Sequence, residues 1–187
     1  MGSPKGLLKY KKKYWIEEQI SRIQSVGFDD IVVVFGQNRD DYLAKITISD
    51  NVSITSHSNE ELGPTNSIQH AINHLQSRRE FDGIILNHID RPVPKKDFFD
   101  LIKPHLASNG IVRPIYKKIC GHPIFFNQNI CSKILNTPGV FRLDSFIKDH
   151  TESNLKEFQV PNWEVSVNFN TKDQWLDFLN KDKILNP

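Results

Sequence analysis

A short apolar run that closes in an acid and a proline constrains this chain more than any other stretch. Gly83-Ile84-Ile85-Leu86 carries no charge and is followed by Asn87-His88-Ile89-Asp90-Arg91-Pro92. This reads as a strand buried on both faces, as parallel strands are, with Pro92 stopping it. Ligands of open α/β sheets bind beyond the carboxyl ends of the strands. A carboxylate just past such a strand is where a metal or cationic ligand would be held, so Asp90 is the first functional candidate. The plainer alternative is an Asp90 that only caps the following helix or pairs with Arg91.

The rest of the chain alternates to match. Trp15, Ile16, Ile20, Ile23 and Val26 recur at helical spacing up to Gly27, the pattern of an amphipathic helix. The β-branched run Ile31-Val32-Val33-Val34-Phe35, ending at Gly36, predicts an interior parallel strand. A short strand over 52–55 follows, then a helix carrying Ile68, Ile72 and Leu75 inward, and then the strand that ends at Leu86. Phe98, Phe99, Leu101, Ile102 and Leu106 mark another helix, and the runs 111–116 and 119–126, joined at Lys117-Lys118, predict a hairpin. Two further helices, a late strand over 163–167 and a last helix with Trp175, Leu176 and Leu179 complete the reading. The expectation is a single domain over residues 1–187 of the α/β class, with a mostly parallel, twisted sheet, right-handed crossovers and one small antiparallel hairpin.

Composition narrows the function classes. Lys and Arg number 24 against 22 Asp and Glu, so no global charge points to nucleic acid or to an anionic membrane surface. Two cysteines, Cys120 and Cys131, are too few for a disulfide framework and fit no zinc-ligand spacing. No apolar run is long enough for a membrane span. The expected setting is cytoplasmic.

Four polar clusters fall at predicted strand ends or helix starts: Ser3-Pro4-Lys5-Gly6, Gly63-Pro64-Thr65-Asn66-Ser67, Asp90-Arg91-Pro92 and Asn168-Phe169-Asn170-Thr171. A parallel sheet would let all four face one crevice. A lysine in a Gly/Ser/Pro loop, free N–H groups at a helix start and a carboxylate able to hold Mg²⁺ are the parts that bind a nucleoside triphosphate. Taken singly, a surface lysine, a solvent loop, a cap and a turn explain them as well. Neither G-x-x-x-x-G-K-[ST] nor G-x-G-x-x-G is present, which disfavours the P-loop and dinucleotide classes. His70 and His74 lack the glutamate of H-E-x-x-H and read as surface residues. Gly121-His122-Pro123 constrains a histidine on both sides; it lines a pocket or only shapes a strand entry.

Taken in order, Ser3-Pro4-Lys5-Gly6-Leu7-Leu8, Phe35-Gly36, Gly63 with Ser67, Asp90-Arg91-Pro92, Gly121-His122-Pro123 and Asn168-Phe169-Asn170-Thr171-Lys172-Asp173 resemble the MobA-like NTP transferases over nearly the whole chain. That family includes molybdenum cofactor cytidylyltransferases and guanylyltransferases. The resemblance implies a three-layer, Rossmann-like nucleotidyltransferase fold. It also implies a Mg²⁺-dependent attack of a phosphate or similar nucleophile on the α-phosphorus of an NTP. Carried over by position, Gly2, Ser3 and Lys5 belong to the phosphate loop, with Lys5 stabilising charge on the triphosphate. Asp90 matches the Mg²⁺-binding aspartate and Asn170 the second metal-side position, although Lys172 stands where a proline is expected. Gly36, Gly63 and Ser67 match nucleotide-binding positions, with Gly63 and Ser67 in the segment that recognises the base. Gly121-His122-Pro123 resembles the cytidylyltransferase side, which favours CTP over GTP and turns His122, with Asn168, toward a phosphorylated acceptor such as molybdopterin cofactor.

One departure stands beside these matches. Family members open with a buried strand and a loop of the form L-A-[AG]-G-x-S-x-R-M-G-x-x-K, whereas this sequence begins at the Met-Gly of that loop. The strand neighbours would then carry unpaired backbone groups, each costing about 1–3 kcal/mol if buried. The expectation is a domain truncated at its amino terminus relative to the family. Two other functions stay open on this reading: a non-catalytic nucleotide- or cofactor-binding descendant, and a sugar-phosphate nucleotidyltransferase.

Overall fold

The computed structural model describes residues 4–28, 30–57, 63–150 and 155–185. A 3-10 turn at Lys5–Leu7 leads into a small antiparallel pair, β1 (Lys9–Tyr10) and β2 (Lys13–Tyr14), and then into helix α1 (Trp15–Ser25). Next come β3 (Ile31–Phe35), α2 (Arg39–Leu43), β4 (Val52–Ser56), α3 (Gly63–Gln76) and β5 (Gly83–Leu86). After α4 (Lys96–Leu106) the chain forms β6 (Ile111–Tyr116), β7 (Ile119–Cys120) and β8 (Ile124–Asn127). Last come α5 (Gln128–Asn136), α6 (Leu143–Asp149), β9 (Leu155–Gln159), a 3-10 turn at Trp163–Ser166 and α7 (Lys172–Leu185).

The sheet overturns the expectation of mostly parallel strands. The main sheet has five strands in the order β5-β8-β6-β7, with β9 beside β6. β8 is antiparallel to both β5 and β6, β7 is antiparallel to β6, and only β9 runs parallel to its neighbour. Chain length explains the directions. β5 reaches β6 through α4, a crossover long enough to keep the two strands in one direction, but only residues 117–123 separate β6 from β8. A parallel return needs a dozen or more residues. The chain therefore comes back antiparallel, and β8 inserts between the two strands that the helix crossover had aligned.

β3 and β4 pair in parallel over their full length, but as a separate two-stranded sheet. Among the described residues β3 and β5 are each hydrogen-bonded to a strand on one side only, and Val32, Val33 and Val34 of one and all four residues of the other are half-buried. The expectation that Gly83–Leu86 is buried on both faces is corrected accordingly. The late strand over 163–167 is also corrected: that segment is the 3-10 turn, and the strand lies earlier, at β9.

Helices cover both faces of the main sheet, and alternation along the strands sorts the core. Ile84, Leu86, Ile111, Ile124 and Phe126 face α3, α5 and α6, packing on Ile68, Ile72, Ile130, Ile134, Phe146 and Ile147. Ile85, Val112 and Phe125 face the other way, against Phe98, Phe99 and Ile102 of α4 and the end of α1. The remainder of α1 packs on β3 and β4 through Ile16 and Ile20. A fourth, aromatic cluster joins Tyr10 and Trp15 to Phe169, Trp175 and Phe178. This last cluster carries the loop before α7 to the amino-terminal end of the chain, and so builds the site.

Candidate active site

Two buried side chains of α1 fix the turn that follows β5. Gln19 donates from Nε2 to the Arg91 carbonyl at 2.7 Å and accepts the Val93 N–H at 3.2 Å. One turn earlier, Trp15 donates its indole N–H to the Ile89 carbonyl at 2.8 Å. Asp90 is thereby held between two clamps.

The loop before α7 is brought to the same place. Phe169 is fully buried in the aromatic cluster, and its N–H donates to the Asp90 carbonyl at 3.1 Å. Thr171 and Gln174 close the start of α7 as a capping box: Gln174 Oε1 accepts the Asn170 and Thr171 N–H groups at 2.7 and 3.1 Å, and Thr171 Oγ1 accepts the Gln174 N–H at 3.3 Å. With its backbone held on both sides, Asn170 presents its side chain at the rim.

Lys5 completes the cluster. Its ammonium donates to Asp90 Oδ2 at 2.9 Å and to Asn170 Oδ1 at 2.7 Å, across separations of 85 and 165 residues in sequence. The turn carrying it is anchored by the Gly6 N–H, which donates to the Tyr42 hydroxyl at 3.1 Å. Burial pushes the Tyr42 phenol above its ordinary pKa, so it stays a neutral hydroxyl. A Cβ on Gly6 would overlap the Tyr42 ring.

From Tyr42 the contacts run to the second polar region. Its ring packs on Phe35 at 5.0 Å, next to Gly36, and the Phe35 carbonyl accepts the His57 N–H at 3.2 Å. His57 Nε2 lies 2.7 Å from Ser67 Oγ, Asn66 Nδ2 lies 3.3 Å from His57 Nδ1, and the His57 ring stacks on His70 at 5.1 Å. Gly63 opens α3 with a positive φ of 71° and open space where a Cβ would stand. Of the expected base-recognition residues, both on α3, Ser67 is joined to the turn of the lysine by a chain of contacts through His57, Phe35 and Tyr42. His70 and His74 are half-buried, and His74 Nε2 is buried without a hydrogen bond, so neither is a plain surface histidine.

On the other side of Asp90, His88 and His122 meet edge to face at 4.9 Å. The His122 N–H donates to the Val165 carbonyl at 2.9 Å, and that carbonyl comes so close to Gly121 that no Cβ fits there. Burial lowers the pKa of both rings, that of His122 to about 2, so both are neutral. Asn168 is exposed, two residues before Asn170. Gly2 and Ser3 lie outside the described residues.

Lys5, Asp90 and Asn170 therefore converge, Gly36 and Ser67 connect to them through Tyr42 and His57, and His122 lies beside them. Tyr42, His57, Gln19 and His88 were not among the sequence candidates. A tyrosine in a short helix and a glutamine on a core face carry no spacing that singles them out.

A helix-covered sheet with a polar cluster beyond the ends of β3, β4 and β5 is the plan of the α/β nucleotidyltransferases, and solved structures share it. Rv0371c from Mycobacterium tuberculosis H37Rv is 18% identical with a TM-score of 0.79, the match covering 96% of this chain and 91% of that one. Its complex with manganese is 20% identical with a TM-score of 0.77, covering 96% of this chain and 93% of that one. A 4-diphosphocytidyl-2C-methyl-D-erythritol synthase from Anaerococcus prevotii is 14% identical with a TM-score of 0.74, covering 97% of this chain and 92% of that one. No curated protein matches in sequence. The model of the MobA-like NTP transferase domain matches residues 1–155, and the chain belongs to that family. It is a nucleotidyltransferase.

Proposed function

We propose that the protein moves the nucleoside monophosphate of CTP onto a phosphorylated small molecule and releases pyrophosphate, with Mg²⁺ as the cofactor. The observation that carries this reading is the meeting of Lys5, Asp90 and Asn170, brought from the two ends and the middle of the sequence. An ammonium, a carboxylate and an amide oxygen serve no packing purpose at a half-exposed rim. They suit a polyanion and a hard divalent cation.

The donor set fits Mg²⁺. Among the described residues no three His, Cys, Asp or Glu side chains cluster as a metal cage. Mg²⁺ needs none, because it is commonly held by one or two carboxylates with substrate phosphates and water. Asp90 and Asn170 would hold it, and when bound it neutralises charge on the triphosphate. Lys5, relieved of Asp90, neutralises triphosphate oxygens. An acceptor phosphate oxygen attacks the α-phosphorus, a new P–O bond forms, the bond to the β-phosphoryl oxygen breaks, and pyrophosphate departs. Gly63, Ser67 and the His57 beside Ser67 border the base, and Gly36 the nucleoside.

Thermal unfolding with nucleotide tests this. CTP with Mg²⁺ should raise Tm more than GTP with Mg²⁺, by ligand linkage, and Asp90→Asn should remove the Mg²⁺-dependent part. Equal Tm values with and without every NTP would sink the reading.

A further inference from the structure

The lysines of the amino-terminal hairpin are a sequence feature that the proposed chemistry leaves unused. Lys9, Lys11, Lys12 and Lys13 are all exposed, in a protein whose charges otherwise nearly balance. Lys9 lies over the Tyr14 ring at 3.4 Å. Lys11 instead borders a concavity of about 320 Å³ enclosed by the hairpin, α1, the start of α4 and α7. None of Lys5, Asp90 and Asn170 lines it.

The lining of this concavity is cationic. Lys11 comes from the hairpin and Lys95 and Lys96 from the start of α4, and like charges gathered around one opening repel. Lys95 and Lys96 also sit at the positive end of α4, where a cation is unfavourable. Two carboxylates line the cavity as well, and both are engaged: Glu18 accepts from Arg22 Nε at 2.8 Å, and the buried Asp182 accepts from the Tyr10 hydroxyl. Four cationic side chains therefore stand against two carboxylates. Asp97, the next residue of α4, is tied to the Asn162 amide at 3.0 Å, and Lys95 acts on the buried Glu164. Lys11 and Lys96 make no ion pair among the described residues. Arg22 is fixed in advance, because Nη1 donates to the Val93 carbonyl at 3.2 Å and Nη2 to the Tyr10 hydroxyl at 2.9 Å, while its side chain stays 18% exposed. Burial raises the Tyr10 pKa, with Asp182 adding to the rise, so the phenol keeps its proton and brings no charge. A bound anion would relieve the repulsion that the fold leaves in place.

We infer that this cavity is a binding site for a free linear oligophosphate, the class of pyrophosphate and tripolyphosphate. Lys11, Lys96 and Arg22 come from three different elements, which suits an anion whose charge is spread over linked groups better than a single phosphate. The one aromatic ring of the lining, Tyr10, is 4% exposed and leaves no face on which a nucleobase could stack. A volume at the low end of ligand pockets suits so small a molecule. The site does not rest on the transfer reaction proposed above.

Titration calorimetry with tripolyphosphate in the absence of Mg²⁺ tests this on the full chain carrying Lys5→Met, so that the lysine of the candidate active site takes no part. Tripolyphosphate should bind at least about tenfold more tightly than inorganic phosphate. Adding Lys11→Gln and Lys96→Gln should weaken it roughly tenfold or more. Adding Lys45→Gln and Lys148→Gln instead, the same loss of charge at exposed lysines outside the cavity, should leave it unchanged. The inference fails if tripolyphosphate does not bind, if inorganic phosphate binds as tightly, or if the two pairs of substitutions weaken it equally, which would leave only a general attraction of charge. With Lys5 in place, Lys11→Gln and Lys96→Gln together should not alter the Tm shift given by CTP and Mg²⁺; a smaller shift would make the cavity part of the nucleotide site and overturn the inference. If the natural protein shows no CTP shift while tripolyphosphate still requires Lys11 and Lys96, the transfer reaction falls and this site stands.

Discussion

Lys5 answers to two oxygens, Asp90 Oδ2 and Asn170 Oδ1, and the value of that arrangement is not in stability. The Lys5 and Asp90 side chains are 28% and 23% exposed, where an ion pair contributes about 0–1 kcal/mol. Lys5→Met should lower the urea unfolding free energy by less than about 1 kcal/mol, yet weaken Mg²⁺–CTP binding roughly tenfold or more. A stability loss as large as the binding loss would make Lys5 a fold residue instead. Tyr42 is the reverse case. Tyr42→Phe removes the acceptor of the Gly6 N–H and should cost about 0.5–1.5 kcal/mol in urea unfolding; no loss would mean that the turn holds without it. His122 sets a pH dependence whose sign follows from burial. Folded, its pKa falls from 6.5 to about 2, so above pH 6.5 the ring is neutral in both states. Below that, only the unfolded chain takes the proton, and stability falls by up to about 1.4 kcal/mol per pH unit until pH nears the folded value. His88 acts in the same direction. Between pH 7 and pH 5, His122→Gln should lose less stability than the natural protein, by on the order of 2 kcal/mol. Equal losses would show that the ring is protonated in the fold.

Among the elements, the β6–β7 turn is the plainest case of local chemistry against sequence. Tyr116 faces Ile119, and the two residues between them, Lys117 and Lys118, both have positive φ, 46° and 69°. A two-residue turn of that kind favours Asn-Gly. Replacing the lysines by Lys117→Asn with Lys118→Gly should raise stability on the order of 1 kcal/mol, measured by urea unfolding, and a fall would contradict the turn assignment. The hairpin itself was legible because the doubled lysine interrupts two apolar runs. The direction of the main sheet was not. Strand runs and helix stripes report burial, and nothing in Ile124-Phe125-Phe126 states which two strands it enters between. β9 was missed because Leu155-Lys156-Glu157-Phe158-Gln159 is polar enough for a loop, while Trp163-Glu164-Val165-Ser166 alternates like a strand but forms a 3-10 turn that buries Glu164 and Val165.

For the molecule as a whole, the meeting of Lys5, Asp90 and Asn170 was more legible than the sheet. Asp90 and Asn170 stand out because each is a polar residue in a loop just past an apolar run, where α/β folds keep their ligands, and Lys5 because it sits in a Gly/Ser/Pro loop. Their convergence survives the change of strand direction because it rests on local bonds, the Phe169 N–H to the Asp90 carbonyl and the Lys5 ammonium to Asp90 and Asn170, and not on which way the neighbouring strands run. His57 and Tyr42 were illegible, since their roles depend on which partners the fold brings. The claim on which the rest depends is that Asp90 and Asn170 share one metal with a nucleotide that Lys5 also contacts. Paramagnetic resonance of Mn²⁺ in place of Mg²⁺, titrated with CTP present, tests it most directly. The natural protein should show a CTP-dependent Mn²⁺ site that Asp90→Asn weakens by at least about tenfold; Asp90→Asn binding Mn²⁺ and CTP as tightly as the natural protein would contradict it.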